Sequence, residues 1–186
     1  MSTTAAEPSQ TDDVMALLRA AGSDGHRRVD RVVLARLRGL TPEGYADLLT
    51  DLAAVHLPLD LELRRGAPIR PRPVREPLAA DLLALGRRLP EPGPAADLAS
   101  TPARALGVLY VVEGSAAGGP TVAHLVQRHL GASAPVSFLL RGDGDPTWWQ
   151  DFGALARSTL LGSAARAEAA DATRATFRRF AHRLDG

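Results

Sequence analysis

The sequence predicts an all-α fold, with its 186 residues forming a single helical bundle. Through most of the chain, hydrophobic residues recur at the three- and four-residue spacing of amphipathic helices. Two segments open with a capping threonine and a proline at the first helical position, Thr41-Pro42 and Thr101-Pro102. Besides residues 107–112, only residues 135–140 resemble a strand, and two strands do not make a stable sheet.

Composition excludes several classes of function. The chain contains no cysteine, which excludes disulfides, iron–sulfur clusters and thiolate zinc sites. All 22 basic residues are arginine, and 21 acidic residues balance them to a net charge of +1. This balance gives no reason to expect nucleic acid or an acidic membrane as a partner. Because the first residues carry neither the basic nor the apolar stretch of a secretory signal, we expect a cytoplasmic protein.

The N-terminal part predicts a disordered tail, residues 1–11, followed by one helical domain over residues 12–186. A first helix follows the capping cluster Thr11-Asp12-Asp13, and the polar stretch from Gly22 to Gly25 interrupts its pattern. We expect this interruption to delay the start of the helix that continues through Val29.

The second helix begins at Thr41, and Pro58 should bend it or shorten its end. Residues 64–77 are rich in proline and arginine, which predicts an exposed loop. A shorter helix over residues 78–89 follows, and the prolines of residues 90–94 end it.

The C-terminal part contains a long predicted helix that opens at Thr101-Pro102 and closes at Gly131. Residues 141–146 predict a turn, and the chain is again helical from Trp148 to Leu184.

The stretch GVLYVVEGSAAGGPT, residues 107–121, has two incompatible interpretations. As a strand and a glycine loop it approaches the phosphate-binding pattern G-x-x-x-x-G-K-[ST], but Pro120 stands in the place of the lysine. As part of a helix it carries glycines at Gly114, Gly118 and Gly119, each costing roughly 1 kcal/mol relative to alanine. Because a parallel sheet is missing, the helix is favoured.

Two explanations for the glycines remain open. Gly114 and Gly118 share one helix face and would let a neighbouring helix approach closely. Alternatively, a flat ligand lies directly against the bare backbone. Pro120 suits a local kink, because it leaves the carbonyl of Ala116 without its helical donor.

The same residues resemble bacterial haem oxygenases. The run LGVLYVVEGSAAGG, followed by a glycine turn and the W-x-x-F of Trp149 to Phe152, is similar to their distal-helix region, most closely in the branch associated with bacteriophytochromes. The segment LLRAAGSDGHRRVD resembles the part of that family that carries the proximal ligand. The resemblance spans residues 14–184 and implies a helical fold with haem held between the first helix and the glycine-rich helix.

On the proximal side the resemblance implies that His26 is the axial ligand of the haem iron. Asp30 matches an acidic residue that accepts from the other ring nitrogen. Arg19 stands where the family places a basic partner for a haem propionate, and Arg157 is the nearest match for a second one.

On the distal side Gly114, Gly118 and Gly119 match the glycines of the family helix, and Tyr110 is expected to contact haem. Ser115 occupies a position where animal relatives carry an aspartate that organises water. Gly114, Ser115 and Gly118 are therefore the expected catalytic positions. Pro120 departs from the polar residue expected at its position.

The activity implied by the resemblance uses haem as both cofactor and substrate. Biliverdin, carbon monoxide and iron would be the products, O2 the oxidant, and a ferredoxin or a flavin reductase the electron donor. A bacteriophytochrome is an expected partner for the bilin. A haem carrier without chemistry is the main alternative, and a helical interaction module is a third.

The remaining histidines predict structural roles. His56 lies one turn before Asp60 and could form an ion pair with it on the second helix. His124 and His129 are five residues apart and face different directions, so a shared metal is not expected.

Overall fold

Six α-helices follow one another in the computed structural model, which describes residues 10–95, 97–142 and 147–186, with side chains from Val14 onward. The described residues contain no strand, which confirms the all-α fold. The helices are α1 (Gln10–Arg36), α2 (Pro42–Gly66), α3 (Arg75–Ala84), α4 (Pro102–Leu130), α5 (Trp148–Thr159) and α6 (Ser163–Asp185). The predicted tail falls mainly on residues 1–9, outside the described ranges, as do residues 143–146 of the predicted turn.

Helix α6 packs along both α1 and α4 and holds these two helices relative to each other. Helix α2 contacts α4 and α6, and α3 packs against α2. Buried hydrophobic side chains form one cluster around α4, α5 and α6 and a second around α2, α3 and residues 136–139. Among the described helices, none combines the length and the hydrophobicity that crossing a bilayer requires.

Helix α1 runs without a break through Gly22 and Gly25, so the predicted interruption is wrong. These glycines allow a close contact with Phe177 of α6. A Cβ at Gly22 would lie 2.6 Å from Phe177 Cε2, and a Cβ at Gly25 would overlap Phe177 Cβ. Gly22 and Gly25 therefore form a notch in α1 into which Phe177 packs, the Phe177 notch.

Helix α2 continues through Pro58 to Gly66, so Pro58 does not shorten its end. It starts as expected, because the Thr41 hydroxyl accepts from Gly44 N at 3.1 Å. After Pro58, Leu59 and Leu63 are buried in the core, so tertiary packing holds the last two turns despite the missing hydrogen bond.

The connector between α2 and α3, residues 67–74, is a loop as predicted, but it is only partly exposed. Pro71, Arg72 and Val74 are buried. Arg72 contacts the buried carboxylate of Glu113 twice, from its backbone N to Oε1 at 2.9 Å and from Nη1 to Oε2 at 3.1 Å. Its guanidinium also lies over the Trp148 ring, 5.1 Å from the centroid. The connector is thus fixed to α4 and α5.

Helix α3 begins at Arg75 and ends at Ala84, earlier at both ends than predicted. Residues 137–142 form turns. The buried carboxylate of Asp81 in α3 accepts from Ser137 N at 3.0 Å and from Phe138 N at 2.8 Å. These bonds satisfy donors that a strand would have paired.

Helix α4 has the predicted ends. The Thr101 hydroxyl accepts from Arg104 N at 3.2 Å, and Gly131 ends the helix with a φ of 97°. Near its start, Gly107 lies directly against α6: a Cβ there would overlap the carbonyl oxygen of Ala169. The Thr173 hydroxyl donates to the Gly107 carbonyl at 3.2 Å.

Candidate functional site

A cleft of about 820 Å³ opens between α1 and α4, with α2 and α6 closing it from behind. Such a volume is within the range of small-molecule sites. Eight of the residues proposed from sequence line this cleft: Arg19, His26, Asp30, Tyr110, Gly114, Ser115, Gly118 and Gly119. The fold therefore brings both predicted motifs to one place.

Arg157 is the predicted site residue that does not line the cleft. It is half-buried on α5, and its guanidinium lies next to Gly153, where a Cβ would be 3.2 Å from Nη1. Besides Arg19, the described basic side chains at the cleft are Arg27 and Arg141.

Helix α1 supplies the histidine wall of the cleft. His26 Nδ1 lies 3.2 Å from Asp30 Oδ2, one helical turn away, and its ring is edge-on to Phe177 at 5.9 Å. The His26 side chain is 62% exposed. With Nδ1 paired to a carboxylate, Nε2 is the nitrogen available to a ligand. The Phe177 notch fixes the rotation of α1 that brings His26 to the cleft.

Helix α4 supplies the opposite wall, where Gly114 and Gly118 leave the backbone bare. A Cβ at Gly118 would meet no heavy atom of the described residues within 4 Å, and one at Gly114 would meet only Trp149, at 3.9 Å. A Cβ at either position would meet no backbone of another described helix, and the one side chain it would meet, Trp149 of α5, lies at an ordinary contact distance, so close helix packing does not require these glycines.

Gly119 has a different role. A Cβ there would overlap the carbonyl oxygen of Leu139, so this glycine admits the backbone at Leu139. The helix continues past Pro120, and the chain at Gly142 packs near the Ala116 carbonyl that Pro120 leaves without a helical donor. Because Gly142 and Gly119 have no side chains, the turn of residues 137–142 can pack closely against α4.

Ser115 is joined to Arg141, a residue that the sequence analysis missed. The Ser115 hydroxyl donates to the Val112 carbonyl at 2.7 Å and accepts from Arg141 Nη2 at 2.8 Å. Arg141 also donates to the carbonyls of Val112 and Phe138, at 3.1 Å and 2.9 Å. Its guanidinium lies 4.1 Å from the centroid of the Phe138 ring. The only sequence signal was a basic residue at the predicted turn.

Burial lowers the pKa of Arg141 to about 10, against the opposing effect of the nearby Glu113 carboxylate. The side chain remains a cation at neutral pH. Because the Ser115 proton is committed to Val112, the hydroxyl can only accept a further hydrogen bond from the cleft.

His56 lies in the rear wall of the cleft and does not form the predicted ion pair with Asp60. Asp60 Oδ2 instead accepts from Arg64 Nε at 2.7 Å. The imidazole is 1% exposed and packs edge-on against Phe138 and Phe180, with ring centroids 5.1 Å and 5.0 Å away. Burial, and then the charge of Arg141, keep its pKa well below the ordinary value of 6.5.

An aromatic group closes one end of the cleft. Tyr110 of α4 lies edge-on to Trp149, with centroids 6.2 Å apart, and tilted against Phe152 at 6.5 Å. Trp148 stacks on Phe152 at 5.3 Å and also lies next to Arg72. The W-x-x-F segment therefore supports the Tyr110 wall from behind.

A comparison with curated proteins identifies a relative. The protein named heme oxygenase from Xanthomonas campestris pv. campestris (strain 8004) is 30% identical to this chain over 138 residues. The matched region covers 74% of this chain and 78% of the relative. No family model matches the chain. On this identity and coverage, the chain belongs to the haem oxygenase family.

Proposed function

We propose that the protein is a haem oxygenase that opens haem to biliverdin and releases carbon monoxide and iron, using O2 and electrons from a separate donor. The observation that carries the proposal is that His26 and the bare backbone at Gly118 line the same cleft. A ferredoxin or a flavin reductase is the proposed class of donor.

The residues of the cleft fit haem. Its walls combine apolar side chains with a flat glycine face, and an imidazole stands on the opposite helix. Asp30 accepts from Nδ1 and so fixes the ring tautomer in which Nε2 is free to bind a metal. Arg19 offers a cation for a propionate, and Arg157, which lies outside the cleft lining, takes no part in this proposal.

Bound haem would supply both the iron at which O2 is activated and the ring that is opened. The protein contributes placement. Gly114 and Gly118 would admit the ring close to α4, and the apolar walls would shield the bound ring from bulk water. The Ser115 hydroxyl, which donates to Val112 and accepts from Arg141, would act as an acceptor toward a water molecule in the cleft.

The proposal extends to the branch associated with bacteriophytochromes, in which the product serves as a bilin chromophore. The support is the Glu113-Gly114-Ser115 pattern. In this structure Glu113 is buried against Arg72, so the first residue of the pattern anchors the helix that carries the other two.

Haemin titration followed by reductant and air tests the proposed function. We expect a 1:1 complex with a sharp Soret band, which ascorbate or a ferredoxin reductase system converts to the spectrum of biliverdin. A haem complex that never bleaches would instead identify a haem carrier, and the lack of a Soret band would indicate a packing module.

Substitution of His26 tests the ligand assignment. His26→Ala should change the spin state of bound haem and stop turnover, and added imidazole should restore both. Asp30→Asn should reduce affinity or activity by roughly 10- to 100-fold, as is typical of such partners. His124→Ala is the matched control, because His124 is exposed on α4 and does not line the cleft. A wild-type haem spectrum in His26→Ala would show that another residue binds the iron.

A further inference from the structure

His56 is a buried polar side chain in the rear wall of the cleft, where Arg141 is a charged neighbour. It is the one buried histidine of the five in the chain. Its Nδ1 has no hydrogen-bond partner within the described part of the chain. Its ring packs against Phe138 and Phe180, which line the cleft with it. A buried polar group without a partner costs about 1–3 kcal/mol. Because Nδ1 is enclosed by protein atoms while His56 lines the cleft, Nε2 is the ring nitrogen that can reach a ligand.

The unpaired nitrogen indicates which group the ring offers to the cleft. A neutral imidazole has one N–H donor and one acceptor nitrogen. Asp60 Oδ1 is also buried without a partner one turn away, so Nδ1 does not donate to it. Because buried N–H groups are left unpaired less often than buried acceptors, the proton belongs on Nε2. His56 therefore presents a hydrogen-bond donor and needs an acceptor.

Haem and its open-chain product differ in the acceptors they carry. The closed ring has its only peripheral oxygen atoms on two charged propionates, and Arg19 and Arg27 at the cleft suit those. Opening the ring creates a carbonyl oxygen on each terminal pyrrole ring. These neutral acceptors match the neutral Nε2–H donor, because the neighbouring Arg141 guanidinium is already bonded to Ser115 and to two backbone carbonyls.

We propose that His56 recognises the product: its Nε2–H donates to a terminal carbonyl oxygen of the open-chain tetrapyrrole. The inference rests on the proposed function and adds a role for a residue that the reaction itself does not use. His56 favours retention of the product over the substrate, so its removal should speed product release.

Affinities for open and closed tetrapyrroles test the proposal. We would titrate biliverdin and zinc protoporphyrin into the wild type, His56→Leu and the control His124→Leu. Loss of one neutral hydrogen bond should weaken biliverdin binding about 2- to 10-fold in His56→Leu. Zinc protoporphyrin should bind as before, and His124→Leu should change neither affinity. His56→Gln, which keeps an N–H donor, should recover part of the biliverdin affinity.

Two other outcomes would overturn the proposal. Equal weakening of both ligands would show that His56 only supports the cleft wall, and no weakening would show that the product does not contact it. If His56→Leu fails to fold, the ¹⁵N NMR signals of His56 in the wild type replace it: Nε2–H should shift with biliverdin and not with zinc protoporphyrin. A wild type that binds haemin and turns it over keeps the proposed function in either case, whereas a wild type that binds no tetrapyrrole removes both.

Discussion

Gly118 and Gly119 are neighbours in the sequence and have opposite surroundings. Gly118 faces the open cleft, whereas the carbonyl oxygen of Leu139 occupies the space next to Gly119. One glycine keeps room for a ligand, and the other lets two backbone segments touch. Their substitutions should therefore have different consequences for the free energy of unfolding.

We predict that Gly118→Ala raises the free energy of unfolding by up to about 1 kcal/mol, because alanine is the better helix former and the site has room for it. Gly119→Ala should lower it by roughly 1–3 kcal/mol, since the methyl group must displace the backbone at Leu139. Urea unfolding of the two variants checks both signs. Equal destabilisation of the two would show that Gly118 is packed.

Gly118→Leu examines the same face with a larger side chain. We expect the variant to fold and to lose haemin binding, because leucine fills the space between α4 and the ligand. Haemin titration together with the melting temperature measures the two effects separately. A folded variant that binds haemin with wild-type affinity would contradict the placement of the ligand against this glycine.

At the scale of elements, the orientation of α1 depends on Phe177 of α6. The two glycines of the notch meet different parts of this residue. Gly22 faces the ring edge at Cε2, while Gly25 faces Cβ, which every residue except glycine carries. This difference allows the contact to be tested atom by atom.

Double-mutant cycles with Phe177→Leu should separate the two contacts. Gly22→Ala and Gly25→Ala should each lower the free energy of unfolding by roughly 1–3 kcal/mol. Phe177→Leu removes the ring edge, so it should relieve part of the stability lost in Gly22→Ala. The double variant should therefore be more stable than the sum of the two single changes predicts. Leucine keeps Cβ and Cγ, so the cost of Gly25→Ala should remain additive. Equal coupling in the two cycles would contradict the packing described for Phe177.

Local signals in the sequence were sufficient for the helix ends that they cap. Thr101 with Pro102, and Gly131 at the other end, define α4 as predicted, because capping depends on neighbouring residues. The expectation that His26 and Gly118 share a site came from the resemblance to haem oxygenases and not from local signals, and both residues line the cleft.

What the sequence could not show depends on partners far along the chain. Arg72 is buried where Glu113 accepts from it, whereas composition alone made its loop look fully exposed. Gly22 and Gly25 looked like a helix break in the sequence, because the residue that explains them, Phe177, lies far along the chain. Arg141 was missed for the same reason: its contacts with Ser115 and Val112 exist only in the folded chain.

At the scale of the whole molecule, stability should depend on pH through His56. Burial holds its folded pKa well below 6.5, the value for an unfolded histidine. The unfolded state therefore binds the proton first as the pH falls. The contribution of His56 is fully present above pH 6.5 and is lost below it, by at most about 1.4 kcal/mol per pH unit.

Urea unfolding between pH 7.5 and 5 measures this dependence, over roughly the range in which an unfolded histidine titrates. The wild type should lose stability toward pH 5, and His56→Leu should lose less over the same range. His124→Leu should follow the wild type. If His56→Leu and the wild type have the same slope, the proton uptake belongs to other groups.

The Phe177 notch also determines when, during its synthesis, the chain becomes able to bind haem. The ribosome makes α1 first and α6 last, and domains fold as units as the chain emerges. Until Phe177 has emerged, the notch is empty and α1 has no fixed rotation, so His26 has no fixed place opposite Gly118. We therefore expect a nascent chain to bind no haem until α6 has been made. A chain whose synthesis stops before α6 should lack the cleft.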